Sequence, residues 1–131
     1  MTREQRQLLL KDLCGRLLYG VKVQTPLFES PTSIKGITED ECWIYSDEDN
    51  YEWVDIEEVK PYLRPISSMT LVEKIELKAI TKGTIQTIGL EDIVVTTDKG
   101  FDYLNAHHID YRGLIPMGLA LEAPYGMYKT E

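Results

Sequence analysis

Between Tyr19 and Pro65 the chain breaks into short runs of alternating apolar and polar residues separated by turn formers, and this rhythm constrains the fold most. Strand side chains point to opposite faces with a period of two, so each run reads as a half-buried strand. In the run from Tyr19 to Thr25, Tyr19, Val21 and Val23 face one way and Lys22 the other. Pro26 and the Ser30-Pro31 pair mark a loop. Thr32 to Ile37 forms the second run, with Gly36 suited to a bulge. After a Glu39-Asp40-Glu41 turn come strands at Cys42 to Tyr45 and Tyr51 to Asp55, joined by a polar hairpin loop from Ser46 to Asn50. Asp55 suits the cap of a single helical turn through Val59. Pro61 to Pro65 then extends again, since residues before proline are pushed out of the helical region. Four strands, a helical turn and a fifth strand predict an SH3-like small barrel, an architecture that assigns no activity. Trp43, Tyr45, Tyr51 and Trp53 fall on paired strands. Such cross-strand aromatics stabilise a sheet, and the same face offers a ligand groove.

Helices bracket this sheet. Thr2 and Gln5 have the spacing of a capping box, so a helix begins at Arg3, with Leu9, Leu10, Leu13 and Leu17 near one face and a stop at Gly15. Thr70 and Glu73 repeat the signature for a helix from Leu71 to about Ile80. Thr84 to Ile88 and Ile93 to Thr97 are rich in β-branched residues and read as strands around a Gly89 to Asp92 turn. Thr97 or Asp98 suits the cap of a helix from Phe101 to His108, and Asp110 the cap of a short helical segment starting at Tyr111. Leu119 to Leu121 alternates as a last strand. The expected class is α+β, with an N-terminal helix and five-stranded barrel over residues 1–68 and a small αββα unit over residues 69–131.

Charge narrows the partners. The formal net charge is -8, and the stretch from Gly36 to Val59 carries ten acidic residues and no Lys or Arg. Phosphate recognition needs clustered cations, so nucleic acid is not an expected partner. The acidic stretch reads either as a solvated sheet face or as a docking surface for a basic partner, with Asp47, Glu48, Asp49, Trp43 and Trp53 at its centre. The polar N-terminus and its short leucine run resemble neither a signal peptide nor a membrane span. Cys14 and Cys42 match no disulfide framework or zinc site, so they are expected reduced in the cytoplasm.

The residues with most chemical character lie from Phe101 to Leu121. His107 and His108 are adjacent, and neighbours on a helix point about 100° apart, so they do not share one metal ion. No metal and no cofactor is expected: the chain has no P-loop, no dinucleotide fingerprint and no nucleophile elbow. Arg112 follows Tyr111 and suits bidentate binding of phosphate or carboxylate beside a stacking face. It equally suits an internal ion pair with Asp102 or Asp110. Tyr103, His107, His108, Tyr111 and Arg112 therefore form a candidate site for a small phosphorylated ligand, away from the acidic stretch.

The segments Leu104-Asn105-Ala106-His107-His108, Asp110-Tyr111-Arg112-Gly113-Leu114-Ile115 and Gly118 through Pro124, with Asp102 and the earlier Val59 through Pro65, resemble the signature of an uncharacterised family of small proteins from gut anaerobes and their prophages. That resemblance implies no activity, but it implies a mobile-element setting. The expectation is a non-catalytic binding protein, cytoplasmic in a bacterial host, that occupies a component of host defence. Its target would be a small nucleotide signal or a host protein. One alternative is a small hydrolase or phosphodiesterase pairing His107 or His108 with Asp102 or Asp110. Another is a structural protein of a phage particle.

Overall fold

Thr2 and Gln5 exchange side-chain-to-backbone hydrogen bonds of 3.0 Å each, and this box starts α1, Arg3–Arg16. In the computed structural model, which describes residues 1–45, 51–81 and 98–128, α1 runs through Gly15, where a stop was expected. Gly15 serves packing instead: a Cβ there would stand 3.1 Å from the Asn105 amide nitrogen. The exit comes after a 3-10 turn over Leu17–Tyr19, at Gly20, whose φ of +72° suits a residue without a Cβ.

Among the described residues six strands follow: β1 Lys22–Thr25, β2 Phe28–Ile37, β3 Glu41–Tyr45, β4 Tyr51–Asp55, β5 Lys60–Leu63 and β6 Leu121–Glu122. They form one sheet in the order β4-β3-β2-β1-β5-β6, antiparallel except for the parallel β5–β6 pair. Asp55 accepts from the Glu57 N–H at 2.9 Å and caps the expected turn, a 3-10 helix over Ile56–Glu58, after which β5 returns to β1. The sheet is not closed into a barrel, because β6 occupies the side of β5 that faces away from β1. Tyr19 belongs to the 3-10 turn, so β1 begins later than its alternation suggested. Ser30-Pro31 lies inside β2, at a register shift against β1, where proline's missing N–H interrupts no regular ladder. Gly36 sits at a second shift, against β3, as the bulge reading expected.

Inward-facing Val21, Val23, Ile34, Cys42, Ile44 and Val54 pack against Leu9 and Leu13 of α1, and Leu114, Leu119 and Ala120 of the C-terminal stretch join the same core. Burial pushes the Cys42 thiol up to about 12, so it behaves as a small apolar side chain. Beyond the sheet, α2 (Leu71–Thr81) starts at the Thr70–Glu73 capping box and packs on α3 (Asp98–Ala106) through a second cluster of Met69, Leu77, Leu104 and Ile109. The strands expected at Thr84–Ile88 and Ile93–Thr97, with their turn, lie outside the described residues, as do the Ser46–Asn50 loop and residues 129–131.

From Tyr111 to Gly118 the chain forms turns, not the expected helical segment. Asp110 explains the difference. Its two carboxylate oxygens accept from the Leu114 and Ile115 N–H groups at 2.8 and 2.9 Å, and Gly113 and Gly118 both take positive φ. No helix among the described residues is long and apolar enough to cross a membrane.

Candidate functional site

Asp12 and Arg16 lie one turn apart on the buried side of α1, and both are fully buried. Arg16 Nε and Nη2 donate to Asp12 at 2.8 and 3.1 Å, and Nη2 also donates to the Ile109 carbonyl at 2.6 Å. Arg112 donates to the same carboxylate at 2.7 Å. The internal partner of Arg112 is therefore Asp12, neither Asp102 nor Asp110, whose carboxylate holds the following turn. Tyr111 lies beneath both guanidiniums, 5.3 Å from Arg16 and 4.7 Å from Arg112, and its hydroxyl donates to Asn105 at 3.0 Å. Tyr111 and Arg112 are thus brought together as sequence suggested, around a carboxylate that the chain itself supplies.

The two histidines diverge. His107 stacks on Tyr103, centroids 4.2 Å apart, and places Nδ1 3.1 Å from Glu73. Glu73 also receives a bidentate pair from Arg64 at 2.7 Å for each bond. Its burial favours the neutral acid, but Arg64 and the Thr70 N–H outweigh that and hold the carboxyl at about 2. Tyr103 is pushed up to about 12, first by burial and then by Glu76 and Glu73, so it remains a neutral phenol. His108 takes a φ of 60°, is buried, and stacks on Tyr128 with centroids 3.7 Å apart. Burial, helped by the Arg16 charge, pulls its pKa down to about 4. Among the described residues neither histidine is hydrogen-bonded to Asp102 or Asp110, the partners that acid–base chemistry would use. No three His, Cys, Asp or Glu side chains among them converge to hold a metal ion.

The β3–β4 hairpin is the opposite environment. Cys42, Ile44 and Val54 face the core, while the registered pair Trp43 and Trp53 stands on the outer face, 38% and 45% exposed. Their rings meet edge to face with centroids 4.3 Å apart. On β2 Gly36 is registered against Trp43, and a Cβ there would stand in ordinary contact with the Trp43 ring, 3.5 Å away. Tyr45 and Tyr51 are also in register. Asp47, Glu48 and Asp49, expected to join this face, lie outside the described residues.

The acidic stretch lacks cations in sequence but not in space. Arg6 of α1 reaches Asp40, Asp55 and Glu57 at 3.3, 3.2 and 3.3 Å. The Glu57 N–H first, and Arg6 after it, hold the Asp55 carboxyl below its ordinary value. Glu41, Glu52 and Glu58 are exposed and in no ion pair among the described residues.

Sequence reasoning missed Asp12, Arg16, Arg64 and Glu73 as organisers of the C-terminal region. Asp12 and Arg16 did carry a signal. They interleave with Leu9 and Leu13 on one helical face, and an i,i+4 ion pair amid leucines marks a buried pair needing a partner from elsewhere. No family model, curated protein or solved structure matches the chain.

Proposed function

We propose that this chain is a non-catalytic binding protein of mobile-element type, acting inside its host cell by occupying a protein of host defence through the β3–β4 face. The observation that carries the reading is the exposed, mutually packed Trp43–Trp53 pair, near the exposed acids Glu41, Glu52 and Glu58, which are in no ion pair among the described residues. Rigid aromatic anchors supply much of the energy of protein interfaces, and a rim of one charge steers a partner of the other. The partner is therefore a protein with a basic surface.

A small phosphorylated ligand fits less well, because Arg112 is already bonded to Asp12 and the chain's net charge of -8 repels an anion. The strand order, with a 3-10 turn before a β5 that returns to β1, supports reading the N-terminal part as an opened relative of SH3-like small barrels. That architecture suits a binding module without specifying a ligand.

The test is affinity purification from the host cell with wild type and Trp53→Ala, followed by mass spectrometry. A host protein retained by wild type, released by salt and lost with Trp53→Ala is the expected result. Recovery of the same proteins by both chains, or of a phage particle component alone, would overturn the reading.

A further inference from the structure

We infer that β4 accepts an additional strand from an extended, basic segment of its partner, so that recognition runs through the main chain as well as through the tryptophans. This rests on the proposed use of the β3–β4 face and names what that face takes. Among the described strands β4 is an edge of the sheet, and the phase of its ladder is fixed by one bond. The Ile56 N–H donates to the Asp40 carbonyl at 2.9 Å, one step beyond the registered pair Glu41 and Asp55. Main-chain groups along an antiparallel strand alternate sides. Glu52 and Val54 therefore turn theirs toward β3, and Trp53 turns its N–H and C=O outward. Among the described residues neither Trp53 group has a partner. The other edge, β6, is only two residues long and leads directly into the Ala123 N–H bond to Leu63, so it offers no comparable template.

An open edge of five residues beside exposed tryptophans invites pairing unless something selects against it. Charge makes the selection here. A second copy of this chain would bring its own Glu52 and Asp55 against the same acids, so self-pairing is opposed. A segment alternating basic and apolar residues is favoured on both counts. Its cations lie on the face of Glu52, its apolar side chains lie on the tryptophan face, and its backbone completes the Trp53 hydrogen bonds.

The probe is a short synthetic peptide alternating lysine with valine, compared with the same peptide N-methylated throughout, which keeps the charge and removes every main-chain donor. Titration calorimetry with the intact protein should show the unmethylated peptide binding about tenfold tighter or more. Glu52→Lys, a change at an exposed residue outside every described ion pair, should weaken that binding severalfold without altering the thermal transition. Equal binding of the two peptides, or no binding of either, would overturn strand addition. If strand addition fails while a host protein is still captured in a Trp53-dependent way, the functional reading stands. If peptide binding is seen but capture does not depend on Trp53, the functional reading falls.

Discussion

The Asp12–Arg16–Arg112 cluster and the β3–β4 face share ingredients, namely charges set beside aromatic rings, yet they put them to opposite uses. In the cluster, two guanidiniums converge on one buried carboxylate, with Tyr111 beneath them and the Ile109 carbonyl satisfying a further donor. Apart from Arg16 Nη1, which has no hydrogen-bond partner among the described residues, its polar groups are directed at each other, and the result is attachment of the C-terminal stretch to α1. On the hairpin the rings are exposed, and among the described residues the exposed Glu41 and Glu52, with Glu58 of the following turn, are in no ion pair. Identity of side chains therefore says little about role. What decides is whether the chain's own fold has already supplied the partner.

The largest expected effect tests the cluster. Asp12→Ala leaves two arginines without their carboxylate and should cost about 3–5 kcal/mol in urea unfolding, the usual consequence of breaking a buried pair. Arg112→Ala should cost less, about 1–2 kcal/mol, because Asp12 keeps Arg16. If Asp12→Ala unfolds at the wild-type urea concentration, the cluster is not what attaches the two parts.

Acid should act on the same region in two stages. His108, held at about 4 in the fold against an ordinary 6.5, is protonated first in the unfolded chain, so stability falls as pH drops from 6.5 to 4. Glu73, at about 2 against 4.5, adds a second loss as pH drops from 4.5 to 2. Each group contributes a slope of at most about 1.4 kcal/mol per pH unit. His108→Asn tolerates the positive φ and should remove the upper stage alone, as followed by denaturant midpoints across pH. A wild-type midpoint that is constant between pH 6.5 and 4.5 would show that burial of His108 carries no such penalty.

On the hairpin, stability and binding should separate. Trp53→Ala should lose about 0.5–1.5 kcal/mol for the edge-to-face pair, beyond the apolar area it uncovers, and leave the protein folded while abolishing capture of a partner. Equal losses of fold and capture would assign the tryptophans to packing. The smallest effect is expected for Glu58→Gln: a change within about 0.5 kcal/mol in thermal stability, with a slower, less salt-sensitive association measured by stopped flow.

Much of this was legible in sequence where the signal is local. Both capping boxes, the Asp55 cap, the Gly36 bulge and the pairing of Trp43 with Trp53 follow from spacing of two to four residues or from hairpin register. What escaped depends on distant partners. Gly15 resembled a stop because its neighbour Asn105 is remote in sequence. Asp110 resembled a helix cap, yet its two oxygens close a turn that glycines at 113 and 118 permit. The open sheet follows from β6: the alternation near Leu121 marked a last strand, but nothing local showed that it pairs with the distant β5. Arg6 could not be matched to Asp40, Asp55 and Glu57 by any short-range rule, and the acidic stretch looked more uniform than it is.

The bonds that join Asp12 to Arg112 and Arg16 to the Ile109 carbonyl have a consequence for the order of synthesis. On the ribosome α1 leaves the exit tunnel well before the groups that complete its charged inner side, since Ile109 follows Arg16 by 93 residues and Arg112 follows Asp12 by 100. Until then the helix presents an ion pair and leucines that have no complete place to go. Docking of α1 is expected to wait until Arg112 has emerged, since closing so long a loop precedes any reward from the contacts it brings. A ribosome-stalled chain with Arg112 still inside the tunnel should remain protease-sensitive, while one with Arg112 outside it becomes resistant.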